Sequence, residues 1–387
     1  MAVFSLMLVV FSLTTGEFVV SGILPDVAAG LGVPLSAAGL LTTAYAIGMI
    51  AGGPVVTLLT ARVARKPLIV GLVAVSVLAN AASAVAPGHA LLLASRVLAG
   101  LVVGTFFAVA VATAAASARP GRQAAAVAKV ALGMNLGIVL GAPLGTVTGQ
   151  HFGWRATFWA VAAAAAVALL LVLRFVPPGP PSTTGRVTGE LRIFAEGRVW
   201  RAIALTAAGN VGVLMVFTYL APLLTEVGGF PGSAVPVLLL AYGIGAVAGN
   251  AAGGWLADRA LLPSLAGLLA ALAGVLAVSW AAAGQPVVTV ASTVLLGALA
   301  FALVPGMQTQ VITAAAAAPT LAVAVNASGY QLAAAAAGWL GGRVVDAAGP
   351  RPIYLVAAVL TIAGLGIALS SLRQSRRRSA VVSGNSG

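Results

Sequence analysis

Glu17 and Arg96 have the clearest capacity for chemistry, because each is an ionisable group inside a long apolar run. Glu17 lies in VVFSLTTGEFVVSGIL and Arg96 in LLLASRVLAGL. A charge in hydrocarbon is costly, so one that is kept marks an ion or substrate pathway by default. Counted inward at 1.5 Å per residue from the ends of their runs, both lie about 10 Å below the same face. They can therefore face one water-filled cavity. A carboxylate set between desolvation and a neighbouring cation binds or releases a proton when a conformational change alters that balance. The alternative is a static ion pair that only holds two helices together.

Other chemistry is thin. Phe106, Phe107, Asn135, Asn210, Phe217, Tyr219, Asn326 and Gln331 are polar or aromatic residues within apolar runs and are candidates to line a cavity. Each can equally serve helix packing. Asp26, just after Pro25, reads as an interfacial cap. The sequon beginning at Asn326 is expected to be buried in a span. There is no cysteine, and His89 and His151 stand alone, so no metal site is expected. No GxxxxGK[ST] loop is present, which argues against ATP as an energy source and leaves a gradient. No cofactor is expected.

The elements that must position these residues follow from composition. The chain has 387 residues, 61% hydrophobic and 7% charged, against roughly 25% charged in a soluble domain. Long unbroken apolar runs exclude a barrel, whose strands alternate, and require helices that satisfy their own backbone in lipid. With about 20 residues per span, the runs give twelve: 3–24, 36–60, 67–87, 90–113, 125–149, 154–176, 200–222, 234–256, 262–283, 286–309, 319–342 and 352–372. The first run lacks a basic leader and is too long for a signal peptide, so it is read as a span. The expected fold is an all-α polytopic membrane protein: a six-helix bundle over 1–176, a linker over 177–199, a second six-helix bundle over 200–372, and a basic tail over 373–387.

The net charge of +13 is read as orientation rather than nucleic-acid binding. Sixteen of the twenty basic residues fall on one side: Arg62, Arg65, Lys66, Arg119, Arg122, Lys129, Arg174, Arg186, Arg192, Arg198, Arg201, Arg259, Arg373, Arg376, Arg377 and Arg378. Arg155, Arg343 and Arg351 fall on the other. The positive-inside rule then puts both termini and the linker in the cytoplasm of a bacterial cell. The Arg376–Arg378 run is suited to anionic headgroups.

The two halves repeat. YAIGMIAGGPVVTLLTAR from Tyr45 lies over YGIGAVAGNAAGGWLADR from Tyr242 at an offset of 197. The same offset pairs Pro25 with Pro222, Gly32 with Gly229 and Gly100 with Gly297; an offset of 196 pairs Gly145 with Gly341, Gly153 with Gly349 and Arg155 with Arg351. Such repeats place a substrate site between the halves near the midplane. The charges do not repeat: Glu17 falls on Leu214, Arg96 on Thr293 and Ala61 on Asp258. Helix 5 carries Gly133, Gly137, Gly141, Gly145 and Gly149 every fourth residue, with Pro143 as a kink, and helix 8 carries Gly245, Gly249 and Gly253. These small-residue stripes permit close helix approach; they serve tight packing alone or, on a sharper reading, a packed pivot of helix 5 against helix 8.

These residues resemble the major facilitator superfamily. Gly254-Trp-Leu-Ala-Asp258-Arg259 is similar to its GxLADR loop; Arg62, Arg65 and Lys66 keep the basic part of the first-half copy, which lacks the acidic residue and the glycine. Arg96 with Gly100 and Gly104 resembles the helix-4 proton-coupling motif. Gly137, Gly141, Pro143 and Gly145 resemble the helix-5 antiporter motif. The opening from Thr15-Gly16-Glu17 to Pro25 resembles twelve-helix drug:proton antiporters, and Phe217 to Pro222 adds likeness to actinobacterial chloramphenicol-resistance exporters. The resemblance implies a monomeric, non-enzymatic carrier in the lipid bilayer that exchanges protons for small, moderately apolar compounds. It also implies that Asp258 and Arg259 lock helix packing at the cytoplasmic face. A sugar or nucleoside exporter, or a membrane sensor or enzyme, are the other readings. Reporter fusions in the linker are expected to report a cytoplasmic location, and a periplasmic signal there would overturn the topology.

Overall fold

The computed structural model describes residues 1–118, 121–180, 197–315 and 319–384, with the side chains of 54, 319–324 and 375–384 left undescribed. Nearly everything described is helical. The first span, α1, is two arms, Ala2–Phe18 and Val20–Leu31, bent by 51°. Then come α2 (Leu35–Leu59), α3 (Arg65–Val85) and α4 (His89–Leu101 and Val103–Ala116). α5 is built of Gln123–Leu136, a π turn Gly137–Gly141 and Ala142–Phe152, and α6 is Trp154–Phe175. In the second half, α7 runs Gly197–Thr218, Leu220–Pro222 and a π turn Leu223–Val227. Val235–Ala281 is one helical stretch broken by non-helical Ala260, giving α8 before the break and α9 after it. α10 is Pro286–Ala314, α11 Pro319–Ala348 and α12 Ile353–Gly384.

Among the described residues nine helices are long and apolar enough to span a membrane by themselves, and the bent α1 pair makes ten. The expected twelve rests on counting the two arms of Val235–Ala281 separately and on α11. Most of the 177–199 linker lies outside the described residues, as do Arg119, Arg186 and Arg192. Helix α12 continues past residue 373 into the basic tail. Asp26 is not a cap: it sits half-buried within the second arm of α1.

The repeat is visible in the backbone. Two of the glycine pairs adopt positive φ at turns, 63° at Gly32 and 70° at Gly229, 84° at Gly153 and 76° at Gly349; only glycine takes this conformation without strain. After the second pair, Arg155 donates to the Ala86 carbonyl at 2.9 Å and Arg351 to the Trp280 carbonyl at 3.2 Å, tying equivalent loops. Helix crossings repeat as well. A Cβ at Gly48 or Gly52 on α2 would overlap the carbonyl oxygens of Val97 or Leu101 on α4, and one at Gly245 or Gly249 on α8 would overlap those of Val294 or Ala298 on α10. Gly100 lies on the Tyr45 carbonyl as Gly297 lies on that of Tyr242.

The stripes therefore pack within each half. The α5 stripe faces α1, where Gly133 meets the Met7 carbonyl, Gly141 meets Thr15 and Gly149 meets Ile23. The α8 stripe faces α10. The expected pivot of stripe against stripe between α5 and α8 is thus corrected. Those helices do touch, but through Gly243, where a Cβ would lie 2.7 Å from the Val139 Cα. That contact falls on the π turn just before Pro143. Proline has no N–H to give residue 139 and its ring crowds that carbonyl, and a π turn widens the helix there.

The apolar cores show how the halves meet. At the face remote from the helix ends at 2, 59 and 116, one core joins both halves and includes Ile23, Leu24, Val27 and Leu41 with Tyr219, Leu220, Leu223 and Leu239. At the face bearing those ends, each half has its own core: Leu6, Val9, Ile69, Val109 and Val172 in the first, Val199, Ile203, Val311 and Ala314 in the second. The molecule is closed at the far face and parted at the face of the termini. Its sides expose Leu59, Leu78, Leu170 and Val237, with Trp200 and Trp255 toward one face and Trp159, Trp280 and Trp339 toward the other, the pattern of a lipid-facing surface with interfacial aromatics.

Overpacking a helix crossing costs about 1–3 kcal/mol. Gly52→Val and Gly249→Val are expected to lower the melting temperature in detergent clearly, whereas Gly53→Ala, whose Cβ meets nothing within 4 Å, is expected to be neutral.

Candidate functional site

A small cavity lies between the halves, lined by Glu17, Phe18, Ser21, Thr42, Leu214, Phe217, Thr218, Tyr330 and Ala334. These come from α1 and α2 of one half and α7 and α11 of the other. At the offset of 197, Glu17 is matched by Leu214 and Ser21 by Thr218, so the walls are related by the repeat while the charge is on one wall only.

The bend of α1 aims Glu17 here. Near Val19 the helix tightens: the Gly22 amide bonds the Val19 carbonyl at 3.0 Å, and the Ser21 hydroxyl takes the Phe18 carbonyl at 2.7 Å. Pro25 adds to this, because it has no N–H for the carbonyl of Ser21. The second half breaks at the matching level, where Tyr219, the counterpart of Gly22, interrupts α7. Above the cavity, the rings of Phe18 and Phe217 meet edge-on with centroids 5.3 Å apart, and Phe217 reaches Tyr242 at 4.9 Å. Thr43 Oγ1 donates across the halves to the Ala335 carbonyl at 2.8 Å. These contacts form the closed side.

Arg96 stands behind Glu17, inside the first half. It is fully buried, and Nη2 donates to the Gly16 carbonyl at 2.5 Å. Its Cζ lies 4.6 Å from the Tyr45 ring centroid and 5.4 Å from that of Phe158, where ring faces attract a cation. Nε and Nη1 have no hydrogen-bond partner among the described residues. Arg96 thus grips the backbone one residue before Glu17, and no direct hydrogen bond joins the two side chains among the described residues. The Glu17 Oε1 instead accepts from Gln331 Nε2 of α11 at 3.3 Å.

Of the residues expected to line a cavity, Phe217 does so and Gln331 adjoins it through Glu17. The others lie elsewhere. Phe106 and Phe107 belong to the separate core of the first half. Asn210 is buried against the Thr206 carbonyl at 2.7 Å and Met307 Sδ at 3.1 Å. Tyr219 is wedged at the crossing of α2, α7 and α11, donating to the Gly338 carbonyl at 2.8 Å. Asn326 is buried within the second half, and Asn135 is half-buried on α5. Phe18, Ser21, Thr42, Leu214, Thr218, Tyr330 and Ala334 were missed; projecting Glu17 and Ser21 through the repeat would have found Leu214 and Thr218.

The loop residues sit at the parted face. Lys66 donates to the Leu173 carbonyl at 2.8 Å, and the Arg65 amide to the Gly179 carbonyl at 3.2 Å. Arg62 is exposed. At the other half, Asp258 and Arg259 are exposed just before the break at Ala260, beyond Gly254, with Arg259 stacked 3.7 Å over the Trp255 ring.

Two pseudo-symmetric helical bundles with a cavity between them are the architecture of a secondary transporter. The chain matches the Major Facilitator Superfamily model over residues 6–338 and belongs to that superfamily. It is 34% identical over 364 residues to the uncharacterised MFS-type transporter YfhI of Bacillus subtilis, covering 94% of this chain and 92% of that one. It is 35% identical over 337 residues to a chloramphenicol resistance protein of Streptomyces lividans, covering 84% of each. Its fold matches a bacterial homologue of the human lysosomal transporter Spinster, solved inward-facing and unoccupied, with TM-score 0.75, 16% identity and 96% of each chain covered. The protein is a multi-pass membrane transporter and not an enzyme.

A single buried hydrogen bond contributes about 0.5–1.5 kcal/mol. Thr43→Val, which keeps shape and loses the bond to Ala335, is expected to shift the balance toward far-face opening by roughly two- to tenfold, measured as distances between labels on the far ends of α2 and α11. An unchanged distribution would show that this bond does not hold the far face closed.

Proposed function

We propose that the chain is a proton-coupled antiporter that exports small, moderately apolar compounds, chloramphenicol-like antibiotics among them, by alternating access. The observation that carries this reading is the cavity between the halves, apolar at Phe18, Leu214, Phe217 and Ala334 and bearing one carboxylate, Glu17. Sequence identity to the Streptomyces resistance protein supports the substrate class.

Glu17 is the proton site in this reading, and Arg96 is the fixed cation behind it. A ligand shifts a two-state carrier only by binding its states unequally. The surroundings of Glu17 include both halves, so they change when the halves rock, and the proton is held differently in the two states. Phe18 and Phe217 offer a flat apolar solute its contact. The two ligands share one cavity, and occupancy by one opposes the other, which is the requirement of exchange. Asp258 and Arg259, exposed while their face is parted, are read as the pair that fastens it when it closes. The carrier works as a monomer in the cytoplasmic membrane, with both termini in the cytoplasm.

A second reading, export of a sugar or nucleoside, draws on the hydroxyls of Ser21, Thr42, Thr218 and Tyr330 in the same lining. Proteoliposomes under an imposed pH gradient, tested with labelled chloramphenicol, a hexose and a nucleoside, separate the two. Glu17→Gln is expected to reduce gradient-driven chloramphenicol transport by about tenfold or more with little change in melting temperature. Undiminished transport by that variant would refute the coupling role, and hexose or nucleoside transport alone would favour the second reading.

A further inference from the structure

We infer that Gln331 is the positioning residue that reports the protonation state of Glu17 to the second half; this rests on the proposal that Glu17 is the proton site. Gln331 lies on α11 and Glu17 on α1, so their hydrogen bond crosses the interface that must move. At 3.3 Å it is long. The amide is buried, and its Oε1 has no hydrogen-bond partner among the described residues.

An orphaned buried acceptor beside a carboxylate has a specific meaning. An ionised carboxylate only accepts hydrogen bonds, whereas a protonated one also donates. Gln331 Nε2 satisfies the ionised form. Its idle Oε1 can accept from the protonated form after a half-turn of the terminal amide, a torsion with two broad wells. One residue thus answers both states, with opposite polarity, without leaving its place. Among the described residues no other side chain is hydrogen-bonded to the Glu17 carboxylate.

The neighbourhood gives Gln331 little competition. Arg96 of α4 is engaged with the Gly16 carbonyl. The Tyr45 hydroxyl of α2 donates to the Leu13 carbonyl at 3.2 Å. Helix α7 presents Leu214, Phe217 and Thr218, and Thr218 is bonded to its own helix. Tyr330, beside Gln331 on α11, and Tyr242 of α8 are the remaining titratable groups facing the pair. One turn along α11 from Gln331, the Ala335 carbonyl receives Thr43 of α2. Helix α11 is therefore clamped to the first half twice, once by a bond indifferent to charge and once by a bond that depends on it. By the repeat, Gln331 matches Asn135 and Glu17 matches Leu214, so the repeat-related pair has no carboxylate.

The test needs no substrate. The chain has no cysteine, so labels at Ser117→Cys and Thr313→Cys, exposed positions at the parted ends of α4 and α10, report opening directly. Distance distributions are recorded by double electron–electron resonance in nanodiscs between about pH 5 and about pH 9. The labelled parent is expected to shift its distribution with pH, and Glu17→Gln to lose the shift. Gln331→Leu is expected to reduce the shift at least about fivefold, while Thr43→Val changes the resting distribution but keeps the shift. The exchanged pair Glu17→Gln with Gln331→Glu is expected to restore it. A Gln331→Leu variant that shifts like the parent, when Glu17→Gln does not, overturns the inference and leaves the proton site standing. A parent without a shift, or a Glu17→Gln variant that retains it, overturns the proton site itself.

Discussion

Each half of this carrier is stiff because its helices meet backbone to backbone. In hydrocarbon no hydrophobic force gathers helices, so association depends on close packing. Glycines at Gly48, Gly52, Gly100 and Gly133 in one half, and at Gly245, Gly249 and Gly297 in the other, let carbonyl groups fill the place of a Cβ. Such contacts have no slack. Glycine also brings the halves close, Gly39 against Tyr219 and Gly338, and Gly243 against Val139, so the surfaces left to part are those at the face of the termini, where each half has its own core.

The bends follow from the same economy. A straight α1 would carry Glu17 on a uniform rod, with every carbonyl around it satisfied within the helix. Instead the tightening at Gly22 and the missing donor of Pro25 free carbonyls beside the cavity, and the Ser21 hydroxyl takes up one of them. Helix α7 breaks at the same level around Tyr219 and Pro222. The repeat thus builds two opposed bends, and the gap between them is the cavity. Substrate space arises from helix geometry, and the residues that decorate it decide chemistry.

Much of this was legible in the sequence, and the physical reason is that hydrocarbon leaves few options. Long apolar runs with no aqueous partner must be helices, so the fold class followed from composition. The repeat followed from Tyr, Pro and Gly positions that backbone geometry demands twice, as the positive φ of Gly32 and Gly229 shows. Helix rotation was not legible. A glycine stripe identifies a face that packs closely without saying against which neighbour, so the α5 stripe was assigned to α8 when it lies on α1. For the same reason Phe106 and Asn210, polar or aromatic within spans, were candidates for the cavity although they serve the interior of their own halves. Depth was readable at 1.5 Å per residue; azimuth was not. Hence the sequence sets Glu17 and Arg96 at one level, but the grip of Arg96 on the Gly16 carbonyl rather than on a carboxylate depends on the angle between α1 and α4.

That grip bears on how a buried cation can persist without an ion pair. Removing a guanidinium from water costs several kcal/mol even after relaxation. A direct pair with Glu17 would offset this cost, but it would also fix the carboxylate to its own half. With the cation held by a backbone carbonyl and by the faces of Tyr45 and Phe158, Arg96 stays in the stiff bundle and its field still reaches the cavity. The Glu17 carboxylate is left free of a rigid partner, at the boundary between halves, with Leu214 as its counterpart across the repeat. The scaffold is therefore twofold while the electrostatics are not, and a charge that belongs to one wall alone is felt differently whenever the other wall moves.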